Sequence, residues 1–112
     1  MYNYLNLKIM ALYRISGVWK DSNVITHYAF HEVVENGVRR STKKIKAQAI
    51  ALLETPGNSA TTWLWNYSQS KWDIGEKVEV VNSINGKYLR SNPDNRLTNN
   101  LEHLINFDWI AS

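Results

Sequence analysis

Two Asn-Gly pairs, Asn36-Gly37 and Asn85-Gly86, do most to limit the folds open to this chain. Asn-Gly between apolar runs is a strong hairpin signal, because both residues accept the positive φ that tight turns need. Each pair commits its flanks to antiparallel strands. Before the first pair, Val24–Val34 is dominated by β-branched and aromatic residues, which fit a strand. Val24, Thr26, Tyr28 and Phe30 share one face of it, and Ile25, His27, Ala29, His31 and Val33 the other. A helical stripe of Ile25, Tyr28, Ala29 and Val33 is the rival reading, and the residue types favour the strand. Val38-Arg39-Arg40 is the short return. After the second pair, Lys87–Arg90 sets Tyr88 and Arg90 opposite Leu89.

Around these hairpins the remaining elements fall into place. Residues 1–11 read as an extension or an added edge strand, and Met10 as an alternative start to Met1. Leu12–Lys20 reads as a strand with Tyr13, Ile15 and Trp19 on one face and Leu12, Arg14, Ser16 and Val18 on the other. Gly17 inside it signals a bulge or a close backbone approach. Asp21-Ser22-Asn23 is turn chemistry, since these short polar side chains bond nearby backbone. Ser41 or Thr42 is expected to cap a helix over about Lys43–Glu54, with Ile45, Ala49, Leu52 and Leu53 as its core stripe. Ala47, Ile50 and Ala51 widen the apolar wrap beyond one face. Thr55-Pro56-Gly57-Asn58 stops the helix.

Thr61–Tyr67 alternates as a strand, with Trp63, Trp65 and Tyr67 on one side and Thr62, Leu64 and Asn66 on the other. Ser68–Ser70 is a loop, and Lys77–Val81 is a further strand. Asn92-Pro93-Asp94-Asn95 is a turn. From Thr98, Leu101, Leu104 and Ile105 dock a short helix or wrapped loop, and Phe107, Trp109 and Ile110 pack on the sheet. The sum is an α+β fold over residues 12–112: a twisted antiparallel sheet of about five strands, one packed helix and an irregular C-terminal wrap.

Lys87-Tyr88-Leu89-Arg90, Pro93-Asp94, Asn100-Leu101 and Leu104, together with Ile15-Ser16-Gly17-Val18 near the start, resemble a small bacterial family of unknown function, number thirty-eight ninety-two. That family pairs an Ile-x-Gly-Val strand with a Lys-Tyr-Leu-Arg-Thr-x-Pro-Asp … Asn-Leu-x-x-Leu signature. The likeness spans about Tyr13–Phe107. Ser91 stands where Thr is usual, Asn99 where Asp is usual, and Ile105-Asn106 where Leu-Pro is usual. The aromatic stretch Trp63–Trp72 is atypical. The resemblance implies a fold and no catalytic residues.

Charge is uneven. Residues 1–53 hold eight Lys/Arg against three Asp/Glu, and residues 54–112 hold five against seven, so the halves are about +5 and −2. Five of the eight residues Arg39–Lys46 are basic: Arg39, Arg40, Lys43, Lys44 and Lys46. Such a segment attracts phosphate backbones or acidic protein surfaces, although a solvated helix start has the same composition. Trp63, Trp65 and Tyr67, with Trp72 beyond, alternate like a stacking platform for single-stranded bases. The competing expectation is that they form the core face beneath the helix. If Leu64 turns to the helix instead, the three are exposed together and mark a binding surface.

Catalytic and metal signals are weak. The chain has no cysteine, which removes thiol and zinc-ribbon chemistry. His27 and His31 share a strand face two steps apart, too far for one ion unaided, with His103 the third histidine. Asp73, Glu76, Glu79 and Asp94 show no paired spacing, and no serine sits in a nucleophile elbow. No apolar run approaches the roughly 20 residues of a membrane span. The expectation is a cytoplasmic, non-catalytic module with no cofactor and no membrane association. It engages a nucleic acid or nucleoprotein through its basic patch and aromatics. The alternative is a small phage or mobile-element regulator that buries aromatics against a host protein. A metal-dependent or acid–base enzyme is the remote alternative.

Overall fold

β1 (Leu12–Asp21) and β2 (Val24–Val34) form the central hairpin of the computed structural model, which describes residues 11–91, 101 and 104–107. Asp21 pairs Val24, so Ser22 and Asn23 alone make the turn, with φ of 53° and 67°. Two successive left-handed residues are the mark of a type I′ turn, whose twist matches the strands it joins. At the Asn-Gly sites the turn sits one residue earlier than the pair implies. β3 (Gly37–Val38) already pairs β2 through Gly37 and Val34, leaving Glu35-Asn36 as the loop. The positive φ falls on Gly37 and Gly86, and neither asparagine has one.

The expected helix start is a strand. β4 (Thr42–Ile45) pairs the outer edge of β2, His27 to Ile45 and Phe30 to Thr42, and α1 (Lys46–Glu54) begins only after it. Ser41 and Thr42 do not cap the helix; Ile45 holds the cap position and donates its backbone N–H to Gln48 Oε1 at 3.3 Å. Filling the open edge of β2 outweighs local cap preference, which is a weak influence beside tertiary pairing. Ile45 thereby leaves the helix stripe and is exposed on β4, while Ala49 is buried and Ile50, Leu52 and Leu53 pack on the core. The helix stops at Thr55-Pro56-Gly57-Asn58, where Asn58 Nδ2 donates to the Leu52 carbonyl at 2.9 Å.

β5 (Ser59–Asn66) returns alongside β1, parallel to it, with Leu12 beside Ser59 and Ile15 beside Thr62. Parallel neighbours need a crossover connection, and α1 supplies it on the way to β5. β6 (Lys71–Ser83) pairs β5 by its first half and β7 (Gly86–Arg90) by its second. β8 (Ile105–Asn106) pairs β1 parallel at Gly17 and Val18. The sheet runs β3-β2-β1-β5-β6-β7, with β4 on β2 and β8 on β1. The fold is the expected mixture of strands and one helix. The sheet has six to eight strands where about five were expected, and it is mixed where it was expected to be antiparallel throughout.

One face of this sheet meets α1. Ile15, Val18, Tyr28, Phe30, Ala60, Val78 and Leu89 are buried there with Ala49, Leu101 and Leu104. Strict alternation along β1 puts Val18 outside and Trp19 inside. The register shift between Ile15 and Gly17 reverses this, because an extra residue in a bulge swaps the faces of everything after it. Val18 is fully buried as a result, and Trp19 lies on the far side beside His27. Gly17 also admits a close approach: a Cβ placed there would lie 2.1 Å from Cε2 of Phe107. Ser91 is buried and its Oγ accepts the Leu101 backbone N–H at 3.1 Å, tying β7 to the tail. The expected extension over residues 1–10, the Asn92–Asn95 turn, the Thr98 cap, and Trp109 with Ile110 lie outside the described residues.

Candidate functional site

Leu64 decides the orientation of the aromatic strand. It packs against the core, so Trp63 and Trp65 point to the opposite face. The expectation of an aromatic core face beneath the helix is thereby corrected. Thr62 reinforces the choice: it is fully buried, and its Oγ1 accepts the Glu76 backbone N–H at 2.9 Å where β6 bulges.

On the far face the rings form a continuous ladder. Trp63 stacks on Trp72 with centroids 4.9 Å apart and planes 29° apart, and Trp72 meets Trp65 edge-on at 5.4 Å. Trp65 in turn meets Tyr67 at 6.3 Å. Trp72 faces Trp65 directly across the strands, which is why two distant stretches of sequence share one cluster. Tyr67 at the hairpin tip is 81% exposed and Trp72 37%. Asn66 organises that tip, accepting from Ser68 Oγ at 2.8 Å and the Gln69 N–H at 3.1 Å.

Cations border the rings. The Arg14 guanidinium lies 5.3 Å from the centre of Trp63. The His31 ring meets Trp63 edge-on at 5.2 Å. His31 Nδ1 donates to the Arg39 carbonyl at 2.9 Å, and Nε2 shares a hydrogen bond with Ser16 Oγ at 2.7 Å. About four residues along β2, or ~13 Å at ~3.3 Å per residue, a second group repeats the theme. Trp19 packs against Phe107 at 5.0 Å, and Lys43 Nζ sits 4.7 Å over the Trp19 ring.

The basic residues do not form one patch. Along β4, Lys43 turns to the aromatic face while Lys44 turns to the helix side. Arg39 is exposed and ion-paired to Glu32 at 3.6 Å. Arg40 borders the same cavity as Lys44, and Lys46, at the helix start, borders a different one beside Tyr88. Thus Trp63, Trp65, Tyr67, Trp72 and Lys43 share a face, whereas Arg39, Arg40, Lys44 and Lys46 lie away from it. Arg14, Trp19 and His31 belong to the face although sequence reasoning passed over them. Arg14 was legible from alternation along β1, but Trp19 needed the bulge. Among the described residues no group of three or more His, Cys, Asp or Glu is placed to hold a metal ion. No helix among them is long and apolar enough to cross a membrane.

A family described as "Protein of unknown function (DUF3892)" has a model that matches residues 11–105. The chain belongs to that family. No curated protein and no solved structure matches it. The DUF3892 match takes in the whole Trp63–Trp72 hairpin together with Gly17, Ser91 and Leu101. In this DUF3892 chain Ser91 retains the hydroxyl that a threonine would offer to the Leu101 N–H.

Proposed function

We propose that this chain is a non-catalytic binding module for single-stranded nucleic acid, free or within a nucleoprotein, and that the strand lies on the sheet face opposite the helix. The ring ladder Trp63–Trp72–Trp65–Tyr67, with Arg14 laid on its inner end, carries this reading. The exposed rings of Tyr67 and Trp72, beside the partly buried Trp63 and Trp65, offer flat surfaces on which unpaired bases stack, at about 1–3 kcal/mol per base. Arg14 and Lys43 supply phosphate contacts at two places along the face. A paired duplex, whose bases are already stacked, has nothing to gain from such a surface.

Tryptophan fluorescence on titration with a 5′-hydroxyl oligothymidylate tests this. Quenching that saturates, with binding weakened by about 1–3 kcal/mol in Trp72→Ala, is the expected result. No quenching at low salt overturns it. One observation favours a second reading, a regulator docking on a protein: Ile74, cross-strand from Trp63, is 59% exposed and offers apolar area without stacking chemistry. Under that reading Ile74→Ser impairs partner binding and oligonucleotide has no effect.

A further inference from the structure

Three of the four basic-segment cations left off the aromatic face, Arg39, Arg40 and Lys44, gather elsewhere. Between α1 and the outer edge of β2 lies a cavity of about 170 Å³ bordered by Arg39, Arg40, Lys44, Thr42, Tyr13 and Glu32, with Phe30 and Leu52 as apolar walls. We propose that this cavity binds a phosphomonoester, either free or as the terminal phosphate of a nucleic-acid strand. The inference does not rest on the stacking face and concerns the opposite side of β2.

Charge selects the ligand class. Three cations face one carboxylate, a balance of +2 at the rim. A phosphomonoester carries about −1.5 to −2 near pH 7, whereas an internal diester carries a single charge. The balance therefore fits a terminal phosphate better than a backbone one.

Geometry holds the donors in place. Arg39 is fixed at both backbone ends: its N–H donates to the Glu32 carbonyl at 2.9 Å, and its carbonyl accepts from His31 Nδ1 at 2.9 Å. Its exposed guanidinium lies 3.6 Å from the Glu32 carboxylate, a loose surface ion pair that leaves its N–H groups available to an incoming oxygen. Thr42 and Lys44 alternate along β4, which brings a hydroxyl and an ammonium to the same side. The Tyr13 ring is set edge-on to Phe30 at 5.8 Å. Burial, and secondarily the Glu32 carboxylate, push its phenol above the usual value, so it remains an O–H donor.

Thermal melts of the full chain with inorganic phosphate, at constant ionic strength and about pH 7.5 so that the dianion dominates, provide the test. Phosphate is expected to raise the midpoint in a saturable way, by mass action on the folded state. Arg40→Gln with Lys44→Gln removes two partly exposed side chains and should weaken phosphate by about tenfold or more while leaving the ligand-free midpoint in place. A phosphate shift of equal size in wild type and double variant, or none in either, overturns the proposal. Comparing 5′-phosphorylated with 5′-hydroxyl oligothymidylate then separates the sources. A preference for the phosphorylated end that the double variant loses assigns the site to strand ends. Equal affinities beside a phosphate shift assign it to a free phosphomonoester, and the cavity stands either way. Trp72→Ala should leave the inorganic phosphate shift unchanged, so failure of the stacking face and failure of this cavity give different results.

Discussion

Gly17→Ala tests how the tail is fastened to the sheet. A Cβ at Gly17 meets Phe107 at 2.1 Å, well inside any tolerable contact, and the obstacle is a ring that must move away. Moving it sacrifices the Trp19–Phe107 contact, with centroids 5.0 Å apart, about 0.5–1.5 kcal/mol for an aromatic pair. It also returns part of a half-buried ring to water, about 1 kcal/mol if half of a full side-chain burial is lost. Against this, alanine restricts the unfolded chain and recovers about 0.4–1 kcal/mol, since Gly17 has no positive φ to forbid it. The net expectation is a loss of about 0.5–2 kcal/mol in urea unfolding, with an unchanged denaturant slope. The cycle with Phe107→Ala is sharper. Once the ring is gone the clash is gone, and Gly17→Ala should become neutral or mildly stabilising. An equal loss in both backgrounds would refute the reasoning and make the glycine a matter of strand geometry alone.

Two further outcomes follow from local geometry. Replacing Ser22-Asn23 by Asn-Gly supplies the residues that a two-residue left-handed turn prefers, and should raise stability by about 0.5–1 kcal/mol; a lower melting midpoint would contradict the turn assignment. Ser91→Ala leaves the buried Leu101 N–H without its hydroxyl acceptor and should cost about 1–3 kcal/mol, whereas Ser91→Thr keeps the acceptor and should cost less; equal costs for the two would show that the hydroxyl is not the point.

What could be read from residues alone was set by locality. Val24–Val34 needed nothing beyond its own β-branched and aromatic content, and the stop at Thr55–Asn58 only its proline and glycine. Thr42–Ile45 could not be read that way, because the open edge of β2 that recruits it lies well back in the chain, with Phe30 pairing Thr42 and His27 pairing Ile45. Gly17 announced a bulge or a close approach and produced both, yet the consequence for Val18 and Trp19 required knowing the register. The aromatic run was recognised as a possible platform, but its side of the sheet hung on where Leu64 points. The basic segment is legible as charge but not as a surface. A helix would have gathered Lys43, Lys44 and Lys46 at one end, and a strand deals successive lysines to opposite faces.

The salt dependence of oligonucleotide binding tests the placement of the strand most directly. If it lies on the ladder, Arg14 and Lys43 are the cations that reach its phosphates. Two contacts at about 0.7 each give a slope of about −1.4 in log K against log salt, for a 5′-hydroxyl single strand. The measurement is a fluorescence titration repeated across salt concentrations. A slope near −1.4 supports the face described. A slope near −3.5, the value for about five phosphate contacts, would place the strand on Arg39, Arg40, Lys43, Lys44 and Lys46 instead and contradict the account.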